Sequence, residues 1–379
     1  MGKVTRGLLM IMIGIGATSP VLHAADPNNN RDNAGAVFVM TNAADRNEVI
    51  AFGRGPNGNL GESNSYDTHG RGSGGITDPL ESQGSLTLSQ DHSLLFAVNA
   101  GSGDVSVFRV HTANLTFLNN TPSGGAQPSA VAEHGGLVYV LNSGGAGSLV
   151  GFQLGFGGQL KQIKDSTAFL TATTTGGASL AFSPDGQFLV VTERVANNID
   201  VFRVQPNGTL APIVVNSNPA PGTFSVAFAP NGAAIVSETG PANVPNGSAT
   251  SSYTVNPNGT LTAISQSVAT LGAGNCWDAI TPDGTKVYTS NSGSDNISGF
   301  NIGKNGALTP IGGTIVGENP SGSHNVDIAI TVDGKFLYTI NSQSGNVGTF
   351  AINQDGSLTD LGQAGDLPKS AGFNGIAAL

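Results

Sequence analysis

From about residue 36 to its end the chain alternates short apolar runs, rich in Val, Ile, Thr and Phe, with clusters of Gly, Asn, Asp and Pro. Helix-forming blocks of Ala, Glu, Lys, Leu and Arg are missing, so the pattern predicts many short strands joined by tight turns. One unit recurs seven times. It opens on a turn, clearest as Ser183-Pro184-Asp185-Gly186, and runs into an apolar strand ending in Asn or Glu. A small polar turn, a strand with a single aromatic, an Asn-Gly-x-Leu hairpin or a relative, and a Gly/Pro-rich link follow. The aromatics are Phe52, Phe108, Phe152, Phe202, Tyr253, Phe300 and Phe350, spaced 44 to 56 residues apart. Four short antiparallel strands per repeat, seven times over, predict an all-β fold: a seven-bladed β-propeller. Each repeated aromatic is expected to pack between adjacent sheets.

The ends predict how the ring closes. The first repeat begins at Ala36 to Thr41, which aligns with second strands elsewhere, and the last repeat is followed by Gly372 to Leu379, which resembles an inner strand. The C-terminal strand is therefore expected to complete blade one and to remove an exposed sheet edge. The longest departure from the period, Gly61 to Pro79 in blade one, is expected to be a loop. Its Gly70-x-Gly72-x-x-Gly75 lacks the strand and helix that a dinucleotide site requires.

Composition narrows the function. Only 11% of residues are charged, and the net charge of -10 excludes the basic footprint of a nucleic-acid partner. Lys3 and Arg6 precede an apolar run from Leu8 to Ala17, and small residues at Ala24 and Ala25 offer a cleavage point. Residues 1–25 are expected to be an export signal, 26–35 a polar segment and 36–379 the propeller, with no membrane span after cleavage. The expected destination is the periplasm, cell surface or medium, and the expected state a monomer. The single cysteine, Cys276, allows no internal disulfide.

The turn at Ser183 to Gly186, the strands Val138-Tyr139-Val140-Leu141-Asn142 and Val287-Tyr288-Thr289-Ser290-Asn291, and the Asn-Gly-x-Leu hairpins together resemble the lactonase family of seven-bladed propellers. That family includes 6-phosphogluconolactonases and carboxymuconate cyclases. The repeats also resemble the Tyr-Val-x-Asn repeats of surface-layer propellers. The resemblance implies a small lactone as substrate. It also implies a His on inner strands about seven residues before the turn glycine, where this chain has Ser85, Ser179, Ser225, Trp277 and Asp327.

Comparing the repeats with one another exposes candidate chemistry. The residue ending the second strand is Asn42, Asn99, Asn142, Asn291 or Asn341 in five repeats but Glu193 and Glu238 in two. Asn there is expected to bond the following turn. The two glutamates are candidate general bases, with Arg194 or Arg71 stabilising a developing oxyanion and Trp277 forming an apolar wall. Glu193, Arg194, Glu238, Cys276, Trp277, His324 and Asp327 are expected around one channel mouth. No motif requires a cofactor, although the two glutamates with Asp327 and Asn291 offer oxygen ligands for a cation such as calcium. His69, His92, His111, His134 and His324 show no zinc-site spacing. Two functions stand: hydrolysis or formation of a small lactone, and a non-catalytic binding propeller in the periplasm or on the cell surface.

Overall fold

The computed structural model describes residues 1–2, 34–172, 174, 176–241 and 244–379. The expected export signal lies outside the described residues apart from Met1 and Gly2, as does the polar segment up to residue 33. The described residues form seven antiparallel sheets and no helix. Blade four shows the common order, running from the inner strand Gly177–Phe182 through Phe188–Glu193 and Asn198–Arg203 to the outer strand Val214–Ser217. In blade one the inner strand is Ile376–Ala378, which pairs with Gly35–Met40 through Val37↔Ala378, Phe38↔Ala377 and Val39↔Ile376. The ring is thus closed by the last residues of the chain.

The repeated aromatics all sit on third strands, and each is at most 5% exposed. The repeat's tyrosines do a different job. The hydroxyls of Tyr139, Tyr288 and Tyr338 donate to the carbonyls of Gly208, Gly356 and Gly58 at 2.7, 2.9 and 2.6 Å. Each of these glycines lies in the outer hairpin turn of the next blade, so the tyrosine clasps two sheets. The turn needs glycine at Gly58 for two reasons: its φ is +86°, and a Cβ would stand 2.3 Å from the Phe336 ring of blade seven.

The Asn residues ending second strands are fully buried; the following turn bonds the backbone carbonyls of Asn99, Asn291 and Asn341, while their side chains reach past the turn rather than bonding it as expected. Asn99 Nδ2 donates to Asp104 Oδ1 and Ser106 Oγ, and Asn291 Nδ2 donates to Asn296 Oδ1 and Ser298 Oγ. The position serves the interior of the blade, where an unpaired polar group is costly.

In blades three to seven the inner strand carries a bulge near its start, where one extra residue interrupts the pairing. Ser129, Ala178, Cys276 and Asp327 are extra residues of this kind. A bulge redirects a side chain out of the strand's alternation, which matters for Asp327.

Candidate functional site

Inner strands line the central channel, and two cavities lie along it. The larger, about 510 Å³, is bordered by blades two to five and opens among the turns between inner and second strands. Its walls include Val131, Leu180, Phe182, Val226 and Phe228, with Gln90, Glu133 and His134 at the rim. Gln90 ties the rim together. Its backbone N–H donates to Glu133 Oε2 at 3.0 Å, and its side-chain amide meets His134 Nδ1 at 3.0 Å. The smaller cavity, about 250 Å³, is bordered by Leu86, Leu88, Ala329, Ile330, Ile376 and Ala378, with Asp327 its only ionisable residue.

Asp327 has a φ of +63° and sits at the bulge of blade seven. Its Oδ1 accepts from the Ile328 N–H at 2.9 Å, and its Oδ2 accepts from the Ile376 N–H of the closing strand at 3.1 Å. Burial in this apolar pocket pushes its carboxyl up to about 7, despite these backbone bonds. Two further channel carboxyls are raised by burial. Asp278, accepting from Ser225 Oγ at 2.8 Å, rises to about 7, and Asp78, held by Asn374 Nδ2 at 2.8 Å, rises to about 8. Such a concentration of displaced carboxyls marks a candidate site.

Across the channel lies the link before blade two. The Gln83 side chain donates to the Asp278 carbonyl at 2.8 Å and accepts from the Asp278 N–H at 3.1 Å, on blade six. The Gln83 N–H bonds the Ala178 carbonyl of blade four, Ser82 Oγ donates to the Ser129 carbonyl of blade three, and the Trp277 indole donates to the Ser82 carbonyl at 3.0 Å. Gln83 borders both cavities.

The residues picked out from the sequence are only partly assembled. Arg194 forms an ion pair with Glu81 at the start of this link, and the charges of Arg194, Glu81 and Asp327 all act on Asp78. Glu193 is not at the mouth. It is fully buried, and its carboxylate accepts from Thr171 N at 2.8 Å, Thr171 Oγ1 and Asn198 Nδ2 at 3.2 Å, taking the structural place that Asn fills elsewhere. Glu238 is also fully buried, accepting from Ser251 Oγ and Asn218 Nδ2; its Oε2 has no partner among the described residues, and it borders a separate cavity of about 200 Å³ lined by Pro221, Gly240, Asn246 and Ser267. Trp277 is 1% exposed, edge-on to Phe224 at 5.2 Å, so it is packing beneath Ser82 rather than a free wall. Asn291 is spent between strands. His324 is half-buried, with its backbone N–H bonded to Asp295 Oδ1, and Arg71 is exposed on the blade-one link. Among the described residues no three His, Cys, Asp or Glu side chains converge to hold a metal, and Glu193, Glu238 and Asp327 lie in three separate surroundings.

Sequence reasoning missed Gln83 and Asp200. Asp200 lies seven residues after Glu193, where Ser106 and Ser298 follow Asn99 and Asn291. Burial, then the charge of Glu193 and a hydrogen bond shared with it, raise the Asp200 carboxyl to about 8, so at neutral pH Asp200 faces Glu193 as the protonated member of the pair, at the place where other blades carry a hydroxyl. The folded chain keeps a proton here that the unfolded chain releases near pH 4, so the pair's stabilisation is complete in acid and is lost as pH climbs towards 8. Asp200→Asn should melt close to the parent at pH 4 and above it at pH 9 in thermal denaturation. Equal melting temperatures at both values would contradict the shared proton.

The family model described as "Lactonase, 7-bladed beta-propeller" matches residues 146–236 and 251–372. No curated protein matches the sequence. Among solved structures, the Pseudomonas aeruginosa periplasmic gluconolactonase superposes with a TM-score of 0.67 at 18% identity, over 91% of this chain and 99% of that one. A candidate 6-phosphogluconolactonase from Bacteroides uniformis gives 0.65 at 21% identity over 91% and 99%. A protein from Lactobacillus plantarum gives 0.68 at 16% identity over the same shares. At these identities the superpositions speak for the fold.

Proposed function

Because the chain belongs to the lactonase family of seven-bladed β-propellers, we propose that it is an exported enzyme that opens a small lactone ring in the central channel, with Asp327 as the proton-transferring group. The observation that carries this reading is the placement of Asp327 as the one ionisable group in the mainly apolar lining of its cavity, where burial pushes its carboxyl up to about 7, the balance that a general base at neutral pH requires. As a carboxylate, Asp327 takes a proton from the water attacking the lactone carbonyl. The ring carbon–oxygen bond then breaks, and the proton passes from Asp327 to the departing ring oxygen. One water is consumed and a hydroxy acid is formed. The residues lining both cavities include no Lys or Arg, so an uncharged lactone suits the channel better than a phosphorylated one. Lys3, Arg6 and the apolar run after them support export.

Turnover is tested by proton release from a panel of γ- and δ-lactones, muconolactones and 6-phosphogluconolactone, corrected for spontaneous hydrolysis. Neutral lactones should be hydrolysed faster than the phosphorylated one. Their kcat/KM should rise with pH and level off above about 7, as Asp327 becomes a carboxylate. Silence across the panel from pH 6 to 9, with and without calcium, would favour the binding propeller instead.

A further inference from the structure

Blades two and six are not neighbours in the ring, yet the Gln83 amide on the link entering blade two makes a two-point bond with the backbone of Asp278 in blade six. In the same two residues, bonds run to Ala178 of blade four and Ser129 of blade three. Residues 82 and 83 are therefore a chord across the channel, pinned at three separated points on its wall. Asp78, Leu80 and Glu81 lie on the same link, with Asp78 tied to Asn374 and Glu81 to Arg194. The seven-strand ring alone would leave the channel open at both ends.

We propose that Ser82 and Gln83 form a stopper that sets the depth of the channel, making Gln83 the residue that fixes how long a lactone the site admits. This rests on the reading of the channel as the lactone site. Gln83 borders both cavities, so a ligand entering from the turn side meets its amide as the floor. The stopper's other contact supplies a built-in reporter. Trp277, the sole tryptophan, donates its indole N–H to the Ser82 carbonyl and is shielded from solvent at that spot.

Gln83→Ala removes the chord's two-point bond to Asp278 and the amide that faces the cavities, while the backbone bond to Ala178 and the Ser82 bonds stay in place. Acrylamide should then quench Trp277 fluorescence more strongly, with a red-shifted emission, and lactones carrying a tail two carbons longer should gain about tenfold in kcat/KM over short ones. Unchanged quenching and unchanged length preference in a variant that melts like the parent would overturn the stopper. Should Gln83→Ala not fold, a tail-length series on the parent protein decides. A sharp fall in kcat/KM beyond one length supports a closed floor, and a steady rise with every added carbon overturns it. Quenching reads the stopper without turnover, so failure of the lactone panel is told apart from failure of the stopper.

Discussion

Deleting residues 372–379 is expected to yield aggregated protein, or soluble protein melting at least ~10 °C below the full chain. The segment contributes Phe373, Ile376, Ala377 and Ala378, all buried, and the ladder to Gly35–Met40. Burying Phe373 and Ile376 alone stabilises the fold by about 1.5–3 kcal/mol each, before the lost ladder bonds and the Asn374 to Asp78 contact are counted. A total on the order of 5 kcal/mol approaches the whole net stability of many domains. Every residue of Gly35–Met40 is buried, so its uncovered edge would present an apolar strand to other chains. Differential scanning fluorimetry and size-exclusion chromatography read both outcomes. A truncated chain that melts and elutes like the parent would refute closure by this strand.

Asp327→Asn is expected to lower kcat for a lactone by about 10² to 10⁴, the usual contribution of a positioned base, with KM little changed. The substitution preserves volume and one acceptor. It removes the group that titrates near neutrality, so the residual rate should also lose its rise through pH 7. Glu193→Gln provides the contrast. Its carboxylate faces three donors, Thr171 N, Thr171 Oγ1 and Asn198 Nδ2, and an amide would turn a fourth donor towards them. That variant should melt lower, with kcat per folded molecule unaltered. If Asp327→Asn turns over normally while Glu193→Gln is inactive but stable, the assignment of the base is wrong.

The fold was legible because a propeller writes its architecture into a period. Seven aromatics on third strands and an orphan inner strand at Ile376–Ala378 require only counting along the chain. The site was far less legible. Glu193 and Glu238 stood out as exceptions to Asn, yet a sequence does not show that this position is interior, where a longer side chain is accommodated by a changed neighbour. Asp200, seven residues on, was the visible signal of that compensation. Asp327 was picked out by its offset from the turn, but its apolar surroundings come from Leu86, Leu88 and Ile376, which are remote in the chain. Gln83 carried no pattern at all. It lies on a link, and its partner is 195 residues away.

The tyrosine clasps are unevenly distributed around the disc. Tyr139 joins blades three and four, Tyr288 joins six and seven, and Tyr338 joins seven and one. The matching positions in the other blades are Val39, Phe96, Val190 and Ile235, which have no hydroxyl to offer. The remaining junctions are held by other side chains: the Tyr66 hydroxyl donates to the Ala113 carbonyl of blade two, Asn119 Nδ2 to the Gly158 carbonyl of blade three, Arg203 Nη2 to the Pro257 carbonyl of blade five and Asn231 Nδ2 to the Gly303 carbonyl of blade six. Every seam of the rim is therefore laced to its neighbour by a side chain on a backbone carbonyl, and the chord at Gln83 adds an internal strut across the middle against thermal breathing.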